Sequence, residues 1–161
     1  MINEDRLGNY LQDHYAGSSA GIELFRRAAQ QQSDPVARTE LTAMIEEVDN
    51  DRAALERFLT AAGSKPDPVK NAGAWLAEKL GRLKPNGELL HRSPLSDVVE
   101  LEALRLAVEG KAAGWRVLRR LAEDDDRFDR SELDQLLKSA ADQIDRLEKL
   151  RMATAERVFL N

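Results

Sequence analysis

Four stretches of this chain carry apolar residues at alternating intervals of three and four, each sustained for more than 20 residues. The first runs Leu7, Leu11, His14, Ser18, Gly21, Phe25, Ala28. The second runs Ala37, Leu41, Met44, Val48, Asp51, Leu55, Phe58, Ala62. The third runs Asp97, Leu101, Leu104, Val108, Lys111, Trp115, Leu118, Ala122, and the fourth Leu133, Leu137, Ala140, Ile144, Leu147, Arg151, Thr154, Val158. That interval keeps one side of an α-helix apolar along its whole length, and a helix of this kind must bury the stripe against partners. Four matched stripes in 161 residues are best buried together, in one four-helix bundle spanning the chain. No β-branched run alternates with period two, so the fold class is all-α.

Punctuation sets the helix limits. Asp34-Pro35, Asp67-Pro68 and Ser93-Pro94 each place a side-chain oxygen, able to accept an orphan backbone N–H, ahead of a proline suited to the first helical turn. Asp129-Arg130-Ser131-Glu132 has capping-box spacing, with Asp129 or Ser131 as the cap. Gly63, followed by Pro66 and Pro68, marks a stop, and Pro85-Asn86-Gly87 marks a turn. These signals predict long helices over about 4–32, 35–62, 94–123 and 130–158, and a short amphipathic helix over about 68–83. The first and second helices are joined tightly around Ser33, and the third and fourth around Asp125 and Asp126. Some thirty residues separate the two pairs, enough for a crossover along the bundle, with the second and third helices parallel. In the crossover, Val69, Ala72, Trp75, Leu76, Leu80 and Leu83 form an apolar stripe, so Trp75 and Leu76 are expected to pack on the bundle.

Composition closes off several chemistries. With no cysteine, the chain has no disulfide, thiolate nucleophile or zinc ribbon. The charged 33% of the residues mixes both signs and nets −5, which suits a solvated helical surface. No basic stripe interleaved with aromatics argues for nucleic acid. No segment approaches the roughly 20 apolar residues of a membrane span. The start, Met1 to Gly8, has no apolar signal core, which makes the cytoplasm the expected location. There is no Gly-x-Ser-x-Gly elbow and no glycine-rich dinucleotide fingerprint.

Polar residues on the stripes are the candidate site. Counting turns across the Ser33 connection sets His14 opposite about residue 52, and parallel second and third helices set Asp51 level with about residue 110. His14, Asp51 and Lys111 are therefore expected in one buried layer, with Ala140 and Ala141 leaving room beside them. The reading adopted is a buried ion pair with a hydrogen-bonded histidine that fixes helix register. A relic metal or acid–base site is the alternative, weakened by an ammonium at its centre and a single histidine. Gly17 and Gly21 on the first helix fall opposite Gly110 and Gly114 on the third, next to Trp115. Two glycines inside a helix suggest close packing of helices one and three, or else a ligand cavity between them.

The connectivity, with one long crossover, resembles the ferritin-like superfamily over essentially the whole chain. More narrowly, Asp13-His14-Tyr15-Ala16-Gly17, Ala74-Trp75-Leu76-Ala77-Glu78-Lys79, Val99-Glu100-Leu101-Glu102 and Glu109-Gly110-Lys111 resemble an uncharacterised bacterial family of small ferritin-like proteins, a resemblance that implies a fold but no activity. Ferritin-like di-iron enzymes use a Glu on each of two helices and Glu-x-x-His on each of the other two. Here the histidines are His14 and His91. Glu88-x-x-His91 matches that spacing once, in a loop, and the fourth helix has no histidine and no carboxylate on its stripe. The sequence thus implies no cofactor, no metal ligand and no catalytic residue. The leading expectation is a non-catalytic bundle that self-associates, as a homodimer, or binds a protein partner. The alternatives are a degenerate ferritin-like metal-binding or oxidative protein, and a binder of a small apolar ligand between the helices.

Overall fold

The computed structural model describes residues 2–67 and 92–160. The short crossover helix expected over 68–83, with Trp75 and Leu76, and the Glu88-x-x-His91 match lie outside the described residues. Within them the protein is all-α, with four helices and no strand: α1 (Glu4–Gln31), α2 (Pro35–Ala61), α3 (Pro94–Leu121) and α4 (Arg130–Phe159).

Each helix begins on a side-chain cap. Asn3 Oδ1 accepts the Arg6 N–H at 3.0 Å, Asp34 Oδ1 that of Val36 at 3.0 Å, Ser93 Oγ that of Leu95 at 3.3 Å and Asp129 Oδ1 that of Glu132 at 2.8 Å. Asp129 rather than Ser131 is thus the fourth cap. At the end of α2, Gly63 adopts φ +76°. The Ser64 N–H then reaches the Leu59 carbonyl at 3.1 Å, in the wrap that a left-handed residue makes possible.

α1 lies beside α2 and α3, and α4 lies beside α3 and touches α2. The diagonal pairs, α1 with α4 and α2 with α3, do not approach each other closely. Contacts at the two ends give the directions. At one end Asp97, near the start of α3, accepts the Ser33 N–H at 3.0 Å, and its carbonyl accepts Gln32 Nε2 at 3.0 Å. Arg157, near the end of α4, pairs with Asp34 at 2.9 Å. At the other end Arg127, between α3 and α4, bonds Glu4 at 2.8 Å and the Ala61 carbonyl at 3.3 Å. α2 and α3 therefore run parallel, with α1 and α4 antiparallel to both.

The core runs along the bundle axis, with Leu41, Met44, Leu104, Leu118, Leu133 and Leu147 wholly enclosed. Burial of these side chains, each on the order of 1.5–3 kcal/mol, is the main stabilising term. Phe58, Trp115 and Phe128 meet edge to face, with centroids 5.9 and 6.1 Å apart, and close the end where α2 stops. In α4 the buried positions fall at Leu133, Ala140, Leu147 and Thr154, seven residues apart, with Gln143 buried beside that seam.

Candidate functional site

Midway along the bundle the interior becomes polar. Lys111 of α3 donates from Nζ to the Asp51 carboxylate of α2 and to Gln143 Oε1 of α4. Gln143 donates in turn to Asp51 Oδ2 and Glu47 Oε2, both at 3.2 Å. Asp51 and Gln143 are buried. Burial depresses the Lys111 pKa, and the nearby Asp51 and Glu47 charges oppose that shift. Gln143 holds the pair from the third side, a role that the stripe through Ile144 did not reveal. Its carbonyl and amide serve the ammonium and the carboxylate together, so no member of the layer lacks a partner.

His14 stands outside this layer. Its ring packs edge to face on Tyr10, with centroids 4.6 Å apart, and lies over Gly114. A Cβ built on Gly114 would sit 3.0 Å from His14 Cε1, so the missing side chain is what admits the imidazole. Burial lowers the His14 pKa, with Asp13 acting in the opposite sense. Of the expected layer, Asp51 and Lys111 are joined, with Gln143 beside them, while the contacts of His14 are with Tyr10 and Gly114.

A cavity of about 650 Å³ lies between α1 and α3, and Val48, Asp51, Arg52 and Leu55 of α2 complete its lining. It reaches from Tyr10 to Phe25 along α1, roughly 22 Å at the helical rise. Gly17 and Gly21 of α1 and Gly110 of α3 line it, and a Cβ on any of the three would meet no described atom within 4 Å. At these three positions the described residues leave the room that a cavity needs rather than make close helix packing. Close packing holds in modified form at Gly114, where a side chain rather than a backbone comes close.

Most of the lining is apolar, with a few polar groups placed among it. Trp115 is 2% exposed, and its indole N–H has no hydrogen-bond partner among the described residues. Arg52 donates from Nη2 to the Tyr15 hydroxyl at 3.0 Å, and its guanidinium lies 4.8 Å from the Tyr15 ring centroid. Its buried Nε also lacks a partner among the described residues. Neither Arg52 nor Tyr15 stood out in the sequence, because arginine beside a stripe position is ordinary on a helical surface.

Metal chemistry finds little support in the donor set. Among the described residues no three His or acidic side chains come together, and Asp51 is already neutralised by Lys111. Likewise, no described helix is long and apolar enough to cross a membrane.

Among the described residues, fold and site together define a four-helix, all-α protein with a polar interior layer and a groove between α1 and α3. No known protein family, curated protein or solved structure matches the chain.

Proposed function

We propose that this protein is a non-catalytic helical bundle of ferritin-like connectivity that takes up a small, mainly apolar molecule in the groove between α1 and α3. The observation that carries this reading is the open space over Gly17, Gly21 and Gly110. Glycine inside a helix costs about 0.5–1 kcal/mol relative to alanine, and here no described helix uses the room that it leaves. A largely apolar hollow of a few hundred Å³ with a few polar groups on its wall is the usual form of a small-molecule site. The parallel course of α2 and α3 supports the ferritin-like connectivity.

Titration with the neutral fluorophore N-phenyl-1-naphthylamine tests this. One probe per chain should bind with enhanced emission, and Gly21→Leu with Gly110→Leu should abolish binding while helical circular dichroism is retained. Equal binding by the filled variant would place the probe elsewhere and sink the proposal.

A second reading rests on a separate observation. Leu95, Leu106 and Val117, spaced eleven residues apart on α3, are 44%, 67% and 41% exposed on one side of the helix. This apolar line suits self-association through α3. Sedimentation should then show a concentration-dependent dimer that Val117→Glu, which lies outside the groove lining, returns to monomer. A monomer at all concentrations would end this reading.

A further inference from the structure

We infer, building on the groove reading above, that its ligand is an aliphatic monocarboxylate whose acid group is received by Arg52 and whose chain lies along α1 and α3 toward Phe25. The argument turns on which charges at the groove are already answered. Lys111 is neutralised by Asp51, and Glu102, at the rim, pairs with Arg151 at 3.2 Å. Asp13 is exposed to solvent. Arg52 alone among the cationic groups lining the groove faces no described carboxylate within ion-pair distance: its contacts are the hydroxyl and ring of Tyr15.

A half-buried guanidinium that faces no carboxylate is costly; its Nε is enclosed and its Nη2 donates to Tyr15, so Nη1 is the donor left for a carboxylate in the groove.

Beyond this polar end the wall is apolar. Leu24 and Phe25 of α1 face Val99, Ala103, Leu106 and Ala107 of α3. From Tyr15 to Phe25 the helix advances roughly 15 Å, the length of an acyl chain of about ten to twelve carbons. Gly17 and Gly21 lie on that path and leave the space in which such a chain would rest. No bond is made or broken on binding.

Calorimetric titration of the full chain with decanoate and with 1-decanol, below their aggregation limits, tests the inference. One decanoate should bind per chain, at least about tenfold more tightly than decanol. Arg52→Gln should bring decanoate down to the level of decanol without changing decanol binding. Arg52→Lys, which keeps the charge, should restore part of the difference. If wild type binds both compounds equally, the carboxylate inference fails and the apolar groove stands. If neither binds while the naphthylamine probe does, the acyl class is wrong and the groove again stands. If no compound binds, both readings fail. A lowered thermal midpoint in Gly21→Leu would show that protein already fills the space, which also overturns both.

Discussion

Lys111 of α3 reaches the Asp51 carboxylate of α2 across the diagonal of the bundle, between two helices that do not lie side by side. The pair thus passes through the interior and meets Gln143 from α4 on the way, tying three helices at one level. Removing one partner leaves the other charge buried. Lys111→Met should therefore destabilise the protein by about 3–5 kcal/mol in chemical denaturation, whereas Lys111→Met with Asp51→Leu should cost less than the single change. Equal losses in the two variants would show that the carboxylate finds water instead.

Glycines on α3 one turn apart should respond in opposite senses. Gly110 is exposed and no described atom lies within 4 Å of where its Cβ would be, so Gly110→Ala should raise stability by about 0.5–1 kcal/mol through helix propensity. At Gly114 the new methyl would press on His14 at 3.0 Å. Gly114→Ala should gain nothing or lose stability, and the gain should reappear in a His14→Ala background. Thermal melts of the four variants decide this, and a stabilising Gly114→Ala in the wild-type background would contradict it.

Much of the helical frame could be read from the sequence because caps act locally. Asp34, Ser93 and Asp129 each make the predicted bond to a backbone N–H within three residues, whatever the rest of the chain does. Side-chain direction is another matter. Turn counting set His14 level with Asp51, but the imidazole turns to Tyr10 and Gly114, because aromatic packing and the space above a glycine outweigh level. Gln143 escaped notice because a 3.6-residue helix allows either 143 or 144 to face inward, and only the need of Lys111 for a second acceptor selects 143. Gly17 and Gly21 fit close packing and an open groove equally well in sequence, since a glycine states only that a side chain is missing.

Arg92 holds the end of the bundle where α3 begins. Its guanidinium bonds Asp97 and Glu100, each at 2.6 Å, and Gln31 of α1 at 2.7 Å. Glu100 and Asp97 are both buried, and the bond to Glu100 is the main cause of the raised Arg92 pKa. Arg92→Gln would leave two enclosed carboxylates with one fewer cation and should cost about 2–4 kcal/mol. Hydrogen exchange should quicken first at the α1–α2 turn, because Asp97 also accepts the Ser33 N–H. Uniform quickening along all four helices would argue instead that the contact acts on the fold as a whole.

His14 should make stability depend on pH in one direction. Burial against Tyr10 and over Gly114 lowers its pKa below the ordinary 6.5, with Asp13 opposing the shift. Between that lowered value and 6.5 the unfolded chain binds more protons at this residue than the folded one. The contribution is fully present above 6.5, is lost as pH falls through the window, and stops changing below the folded value. Carboxylates titrate in the same acid range, so the comparison must be made between variants. His14→Gln should show a smaller drop in thermal midpoint from pH 7 to pH 5 than wild type. Asp13→Asn, which takes away the charge that favours the imidazolium, should show a larger one. If wild type and His14→Gln lose the same amount, the imidazole accepts its proton without cost, and the ring is not held in the enclosed position between Tyr10 and Gly114.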